Sequence, residues 1–270
     1  MTENKVYKDN DFYFAYNVTQ NPSANSFRLH AHDQPEIYYF LGGGASYLVE
    51  GTEYKLRPKD VLVMRQSEVH KVIINAENSP YERFSINFKS ELFKDCPSLL
   101  APFYERPLGK LNRYRRENFK SDLYSLALES IYTGCDLAED GHLLISANLT
   151  TFLMELKGAF DRIKKDGTGD EYTGTELLRY VNDSIFDDIT LSGVSEKFYL
   201  SKTHLNRKFK LMTGSTFWNY VKIKRLIAAR EQIRRGDKAT DAARACGYND
   251  YSAFYRAYTA RFGISPNKDK

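Results

Sequence analysis

Two stretches of this chain, YLSKTHLNRKFKLMTG from Tyr199 and YNDYSAFYRAYTARFG from Tyr248, share one skeleton 49 residues apart. Each opens on a tyrosine, passes a short polar patch, runs through a basic-aromatic segment and stops at a glycine. Paired without gaps, Leu205 falls on Phe254, Arg207 on Arg256, Phe209 on Tyr258 and Gly214 on Gly263. Only the tyrosine, the arginine and the glycine are identical. A pattern retained with so little identity implies one supersecondary unit built twice, and any fold for this chain has to supply both places.

The first unit has a definite anatomy. LSGVSEKFY, Leu191 to Tyr199, reads as a short amphipathic helix, and Leu200-Ser201 as a turn with Ser201 at the N-cap. Lys202 to Met212 then predicts a helix with Leu205, Phe209 and Met212 on its apolar face. Turning that face inward leaves Thr203, Asn206, Arg207 and Lys210 outward, with Lys202 and His204 beside them. This is a helix-turn-helix with donors and cations on its free side. Duplex DNA presents successive major-groove faces about one helical turn apart, so two such units on one rigid connector can read both. FWNYVKIKRLIAAREQIRR, Phe217 to Arg235, is long and helical enough to be that connector.

Charge supports a polyanion partner. The net charge is +4, yet residues 171–270 carry 18 Lys and Arg against 11 Asp and Glu, while the first 170 residues are net acidic. Between Lys197 and Arg225 stand eight cations and no carboxylate.

The first 90 residues follow a different rule. EIYYFL, ASYLVEGTEYKL, DVLVM and HKVII are short, rich in Val, Ile, Tyr and Phe, and punctuated by Gly, Pro and Asn. Glu50-Gly51 sits between two of them as a tight hairpin turn. Many short strands with no long helix between them predict a small antiparallel barrel or sandwich. Asn118 to Lys165 is helical in period, with a stripe of Leu149, Phe152, Leu153, Leu156 and Phe160 that fits packing on its own domain or on a second copy. The expectation is a homodimer through Leu149, Phe152, Leu153 and Leu156. KKDGTGDEYTG, from Lys164, is polar and glycine-rich and reads as the linker.

HAHDQPE gathers His30, His32 and Glu36, and RPKDVLVMRQSEVH ends at His70. Three imidazoles and a carboxylate are a competent ligand set for a divalent transition metal. Over roughly Phe27 to Phe88 the chain resembles the cupin superfamily, whose first motif is H-x-H followed by a glutamate and whose second holds a later histidine. It departs at the second motif's usual P-x-G, where Pro58, Lys59 and Asp60 stand.

Thr173 to Pro266 closely resembles the AraC/XylS family of transcription regulators. FKLMTGSTFWNYVKIKRLIAAR and ARACGYNDYSAFYRAYTARFGISP match its two most specific segments. Ala239 and Ala242 stand where the family usually has larger aliphatics, and Asp269 near an expected aromatic, which implies looser packing of the second unit.

The resemblance implies an α+β multidomain chain. Residues 1–165 would be a cupin-like effector-sensing and dimerisation domain, 166–172 a linker, and 173–270 the DNA-binding domain with its two helix-turn-helix units. Carried over by position, base-reading falls to Thr203, Asn206 and Arg207 in the first unit and to Tyr251, Ser252, Tyr255 and Arg256 in the second, with Lys202, His204 and Lys210 as further DNA contacts. The first unit, richer in cations, is expected to dominate. His30, His32, Glu36, Tyr38 and His70 are expected to line the effector pocket, without a metal or cofactor. The implied partners are a double-stranded operator, a small effector of sugar type and RNA polymerase. The competing class is a metal-dependent cupin enzyme with an appended basic domain, but no glycine-rich phosphate loop or nucleophile elbow supports other enzymology.

Cys96, Cys135 and Cys246 are far apart and free of C-x-x-C spacing, consistent with buried small apolar residues in a reducing compartment. The N-terminal MTENKVYKDNDFYFAYN has no signal-peptide core and no run is long enough to span a bilayer, so a cytoplasmic, membrane-free protein is expected.

Overall fold

The computed structural model of the chain describes residues 3–23, 27, 29–76, 79–134, 140–166 and 176–269. Its N-terminal part is built from β1 (Glu3–Lys8), β2 (Phe12–Thr19), β3 (Glu36–Gly42), β4 (Gly44–Val49), β5 (Thr52–Lys55), β6 (Val61–Met64), β7 (His70–Ala76) and β8 (Tyr81–Phe88). After α1 (Ala101–Tyr104) come β9 (Arg113–Tyr114), α2 (Leu123–Gly134) and α3 (Gly141–Asp166). Two antiparallel sheets result, one of six strands in the order β1-β2-β8-β3-β6-β9 and one of three in the order β5-β4-β7.

Strand alternation explains why β3 is apolar on both faces from Ile37 to Phe40. Tyr38 and Phe40 face the space between the sheets, where they meet Tyr47, Tyr54, Leu62, Met64 and Val72. Ile37 and Tyr39 face the opposite way, onto a core shared with Phe14 and Ile86 of the sheet and with α2 and α3. Leu149, Phe152, Leu153 and Leu156 are fully buried in that second core. The apolar stripe of α3 therefore covers the back of the monomer's own sheet, which corrects its reading as a dimer interface. The N-terminal hairpin β1-β2, which carries no alternation strong enough to be read from sequence, completes the six-stranded sheet through the pairing of β2 with β8.

The C-terminal part holds α4 (Glu176–Asp183), α5 (Leu191–Lys197), α6 (Lys202–Thr213), α7 (Phe217–Arg234), α8 (Ala239–Ala245) and α9 (Tyr251–Phe262). Ser201 caps α6 by accepting from the His204 N–H, and Asp250 caps α9 by accepting from Ser252. Both helices end at a glycine in the left-handed region, Gly214 at φ 72° and Gly263 at φ 70°, which is why glycine recurs in the skeleton. The two units have separate cores, around Leu205, Phe209 and Tyr220 and around Phe254, Tyr258 and Ala242, joined by α7.

The second unit is not loose. Ala239 and Ala242 are buried against Leu226, Ile233 and Phe254. Asp269, in place of an aromatic, is buried and accepts from Arg230 Nε at 2.6 Å, Arg234 Nε at 2.9 Å and the Tyr258 hydroxyl at 2.9 Å. Of the cysteines, Cys246 is buried as expected, Cys96 is exposed, and Cys135 lies outside the described residues, as does the expected linker beyond Asp166. No helix among the described residues is long and apolar enough to cross a membrane.

Candidate functional sites: a two-unit DNA-binding face and a histidine cavity

On α6, Lys202, Thr203, His204, Arg207 and Lys210 are exposed; on α9, Ser252, Tyr255 and Arg256 are exposed. Two residues differ from expectation. Asn206 is half-buried because its Oδ1 accepts the Phe217 backbone N–H at 3.2 Å, tying the end of the unit to the start of α7. One lone pair of that oxygen is thus engaged by the fold, which restrains the amide that adenine pairing would use. Tyr251 is half-buried, its ring 5.7 Å from Phe254. Tyr199, the tyrosine that opens the first unit and to which the sequence assigns no site role, sits in the turn before α6 at φ 52° and is 96% exposed. An aromatic held there in the left-handed region is costly for a non-glycine residue and unexplained by packing.

The barrel site forms where residues 30–32 run alongside the start of β7. His30 and His70 exchange both backbone hydrogen bonds, at 3.0 and 2.8 Å, and the His32 carbonyl accepts from Ser67. This pairing gathers the three imidazoles edge-on or tilted to one another, with their ligand-capable nitrogens all within 4.8 Å. Glu36, at the start of β3, places Oε2 at 3.2 Å from His32 Nε2 and 3.1 Å from His70 Nε2. Burial alone would raise the Glu36 carboxyl, but His32 and His70 outweigh it and hold the group well below the usual carboxylate range. Burial works against a charged His32, and the facing Glu36 reverses that and raises it.

His30 and His32 line a cavity of about 300 Å³ with Asp33, Ile227, Arg230, Arg261 and Phe262. Glu36 and His70 are buried behind them. Tyr38 is not at the cavity: its ring packs on Tyr47 at 4.6 Å and its hydroxyl pairs with that of Tyr81 between the sheets. Burial pushes that hydroxyl's pKa well up, so Tyr38 is a neutral core residue. The cavity's far wall belongs to the DNA-binding part, a position no local sequence signal could reveal.

The two parts are docked through the β4–β5 turn. Glu50 takes φ 46° and Gly51 φ 86°. A Cβ on Gly51 would stand 2.4 Å from Leu178, so the tip requires glycine for both its backbone and its neighbour. The Glu50 carboxylate is buried and accepts from the Val69 N–H at 2.8 Å, Lys224 Nζ at 2.7 Å, Asn182 Nδ2 at 3.4 Å and the Tyr220 hydroxyl. Asp33 is within ion-pair reach of Arg230 at 3.6 Å and also meets Arg234.

A β-barrel part fused to two helix-turn-helix units on one connector, with a polar cavity between them, has the build of a DNA-binding regulator with a ligand-binding domain. Comparisons with known proteins agree: residues 17–143 match the AraC-like ligand binding domain and residues 194–269 the helix-turn-helix domain. Together they place the chain in the AraC/XylS family of transcription regulators. It is 25% identical over 260 residues to the transcriptional activator RhaS of Escherichia fergusonii, covering 90% of this chain and 87% of that protein. RhaS of Citrobacter koseri is 34% identical over 92 residues, covering 34% of this chain and 33% of that protein. Among solved structures, ToxT of Vibrio cholerae aligns over 99% of this chain and 96% of its own at 12% identity and TM-score 0.38. The C-terminal domain of the response regulator yesN of Fusobacterium nucleatum aligns over 34% of this chain and 92% of its own, at 27% identity and TM-score 0.33.

Proposed function

We propose that this regulator binds a two-part operator through α6 and α9 under the control of a small polar effector received at the histidine cavity. The observation that carries the reading is the repeated capped helix with an outward arginine, Arg207 in one unit and Arg256 in the other, both exposed and each backed by its own core. Arginine paired bidentately with guanine is worth about 1–3 kcal/mol of discrimination. Residues 1–166 supply the effector site and 176–269 the DNA face. A sugar suits a cavity walled by donors and acceptors such as His30, His32, Asp33 and Arg230. The protein acts in the cytoplasm as a homodimer that works through RNA polymerase, without catalysis of its own. With the α3 stripe buried, the dimer contact falls to the exposed Leu126, Leu143 and Met154.

The test is selection of duplexes from a random pool by the full chain, followed by binding of Arg207→Ala and Arg256→Ala across a salt series. Each variant is expected to relax one part of the selected sequence, Arg207→Ala more than Arg256→Ala, because α6 also carries Lys202 and Lys208. A pool that shows no enrichment defeats the reading.

A second reading of the cluster is favoured by one geometric observation. His70 Nδ1 lies 2.8 Å from the Glu68 carbonyl, which can only accept, so in the neutral ring the lone pair is on Nε2. That lone pair faces Glu36 Oε2, and both atoms are buried without an aligned hydrogen-bond partner. A divalent transition metal resolves this, with His30, His32, His70 and Glu36 as ligands and the Glu68 carbonyl orienting His70. Bound there, it would act as a Lewis acid toward effector oxygens. Metal analysis of protein purified without chelators, beside His70→Ala, decides between an ion and a proton.

A further inference from the structure

The cavity under the histidines is one of several spaces between barrel and DNA-binding part. Another is a cleft of about 830 Å³, within the range of small-molecule sites. Phe27 and Leu29 of the barrel cover it, and Ile223 and Leu226 of α7 form its apolar floor. Its charged lining is Lys71, Lys210, Lys222 and Arg261, and no carboxylate lines it. Among the described residues none of these four cations has an ion-pair partner. Arg261 lines both spaces, and its Nε is buried without a hydrogen-bond partner. Burial lowers the Arg261 pKa, with Arg230 adding to the effect. Four like charges around one cleft repel one another, and a buried guanidinium nitrogen without a partner is costly, so the lining favours an anion.

We infer that the effector is a small organic anion, a phosphate monoester or carboxylate on a sugar-sized body, held between Lys71 of the barrel and Arg261, Lys222 and Lys210 of the DNA-binding part. The anionic group satisfies Arg261 at the junction of the two spaces, and the body lies along the apolar floor or reaches the histidines. Its contacts come from both parts, so its binding free energy is realised only in the docked arrangement, which it therefore stabilises. A duplex backbone is the other polyanion in reach, and the second arm of the test separates it from a small anion. The inference depends on the regulator reading only in naming the ligand an effector, and its test uses no DNA in the first arm.

The experiment is calorimetric titration of the full chain with glucose 6-phosphate, gluconate, glucose and inorganic phosphate. At least one of the two anionic sugars is expected to bind, and glucose at least tenfold more weakly; which anion binds separates phosphate from carboxylate. Arg261→Met and Lys222→Met should each weaken binding about tenfold or more, the loss expected for one charge-assisted hydrogen bond, while Arg261→Lys retains part of it. Lys222 is exposed, so its replacement keeps the test valid even if Arg261→Met fails to fold. Equal affinity for glucose, binding by neither anionic sugar, or anion binding indifferent to Lys222→Met overturns the inference. So does a second arm in which Lys222→Met lowers only the salt slope of duplex binding, which would make the cleft a nucleic-acid surface.

Discussion

Glu50→Ala tests the docking of barrel on DNA-binding part more directly than any other single change. Its carboxylate is 3% exposed and has four partners, three of which, Asn182, Tyr220 and Lys224, belong to the other part of the chain. Breaking a buried ion pair by removing one member costs about 3–5 kcal/mol, because the other charge is left uncompensated. Here the lower end applies. Lys224 Nζ retains the Ser67 carbonyl at 3.1 Å, and Asn182 retains the Tyr220 hydroxyl at 2.7 Å. A loss of about 3 kcal/mol is roughly a hundredfold in the docking equilibrium. The assay is urea unfolding of Glu50→Ala, Lys224→Met and the double variant, followed by the fluorescence of Trp218, the only tryptophan, at the start of α7. The double variant should cost much less than the sum of the singles, with a coupling of about 2 kcal/mol, since it removes both charges. Additive losses, or a single-variant loss under about 0.5 kcal/mol, would show that the carboxylate is solvated and the docking argument wrong.

Glu68 and Arg106 form a second buried pair at 2.6 Å, inside the barrel; burial raises the Glu68 carboxyl, but Arg106 overrides it and brings the pKa to about 2. A depressed carboxylate stabilises the fold above its unfolded pKa, so about 3 kcal/mol should drain as pH falls from about 4.5 toward 2, and Arg106→Met should remove that dependence in acid-unfolding curves. Asn206→Ala is expected to cost about 1 kcal/mol in thermal unfolding while leaving base preference in the selected operator unchanged; a specificity change at an A·T pair would restore it as a base reader. Leu143→Asp should raise the dimer dissociation constant in sedimentation without lowering the melting temperature, whereas Leu153→Asp should unfold the N-terminal part; the reverse pattern would return the interface to the buried stripe.

What the sequence discloses and what it withholds divide along a physical line. Caps at Ser201 and Asp250, glycines at 214 and 263 and the spacing of Leu205 and Phe209 are set within a few residues, and all stand where local rules place them. The strands β3 to β7 are legible for the same reason, while α4 is missed because eight residues span only two turns, although Leu177, Leu178 and Val181 are buried. The failures are contacts across the chain. The α3 stripe is equally apolar whether it covers its own sheet or a second copy, and only the sheet's Ile37 and Ile86 decide. Asn206 has the chemistry of a base reader and the surroundings of a structural acceptor, the difference lying with a backbone N–H eleven residues away. Glu50 is the extreme case: a turn glutamate reads as solvated, and it is buried because a lysine 174 residues later closes over it. A regulator whose two parts must sense each other stores that coupling in such distant pairs. The cation-lined cleft follows the same logic, since Lys71 comes from the barrel, Lys210 from the first unit, Lys222 from the connector α7 and Arg261 from the second unit, and each alone is an ordinary charge. Brought together without a carboxylate they favour an anion, and holding it requires all four segments to remain in register.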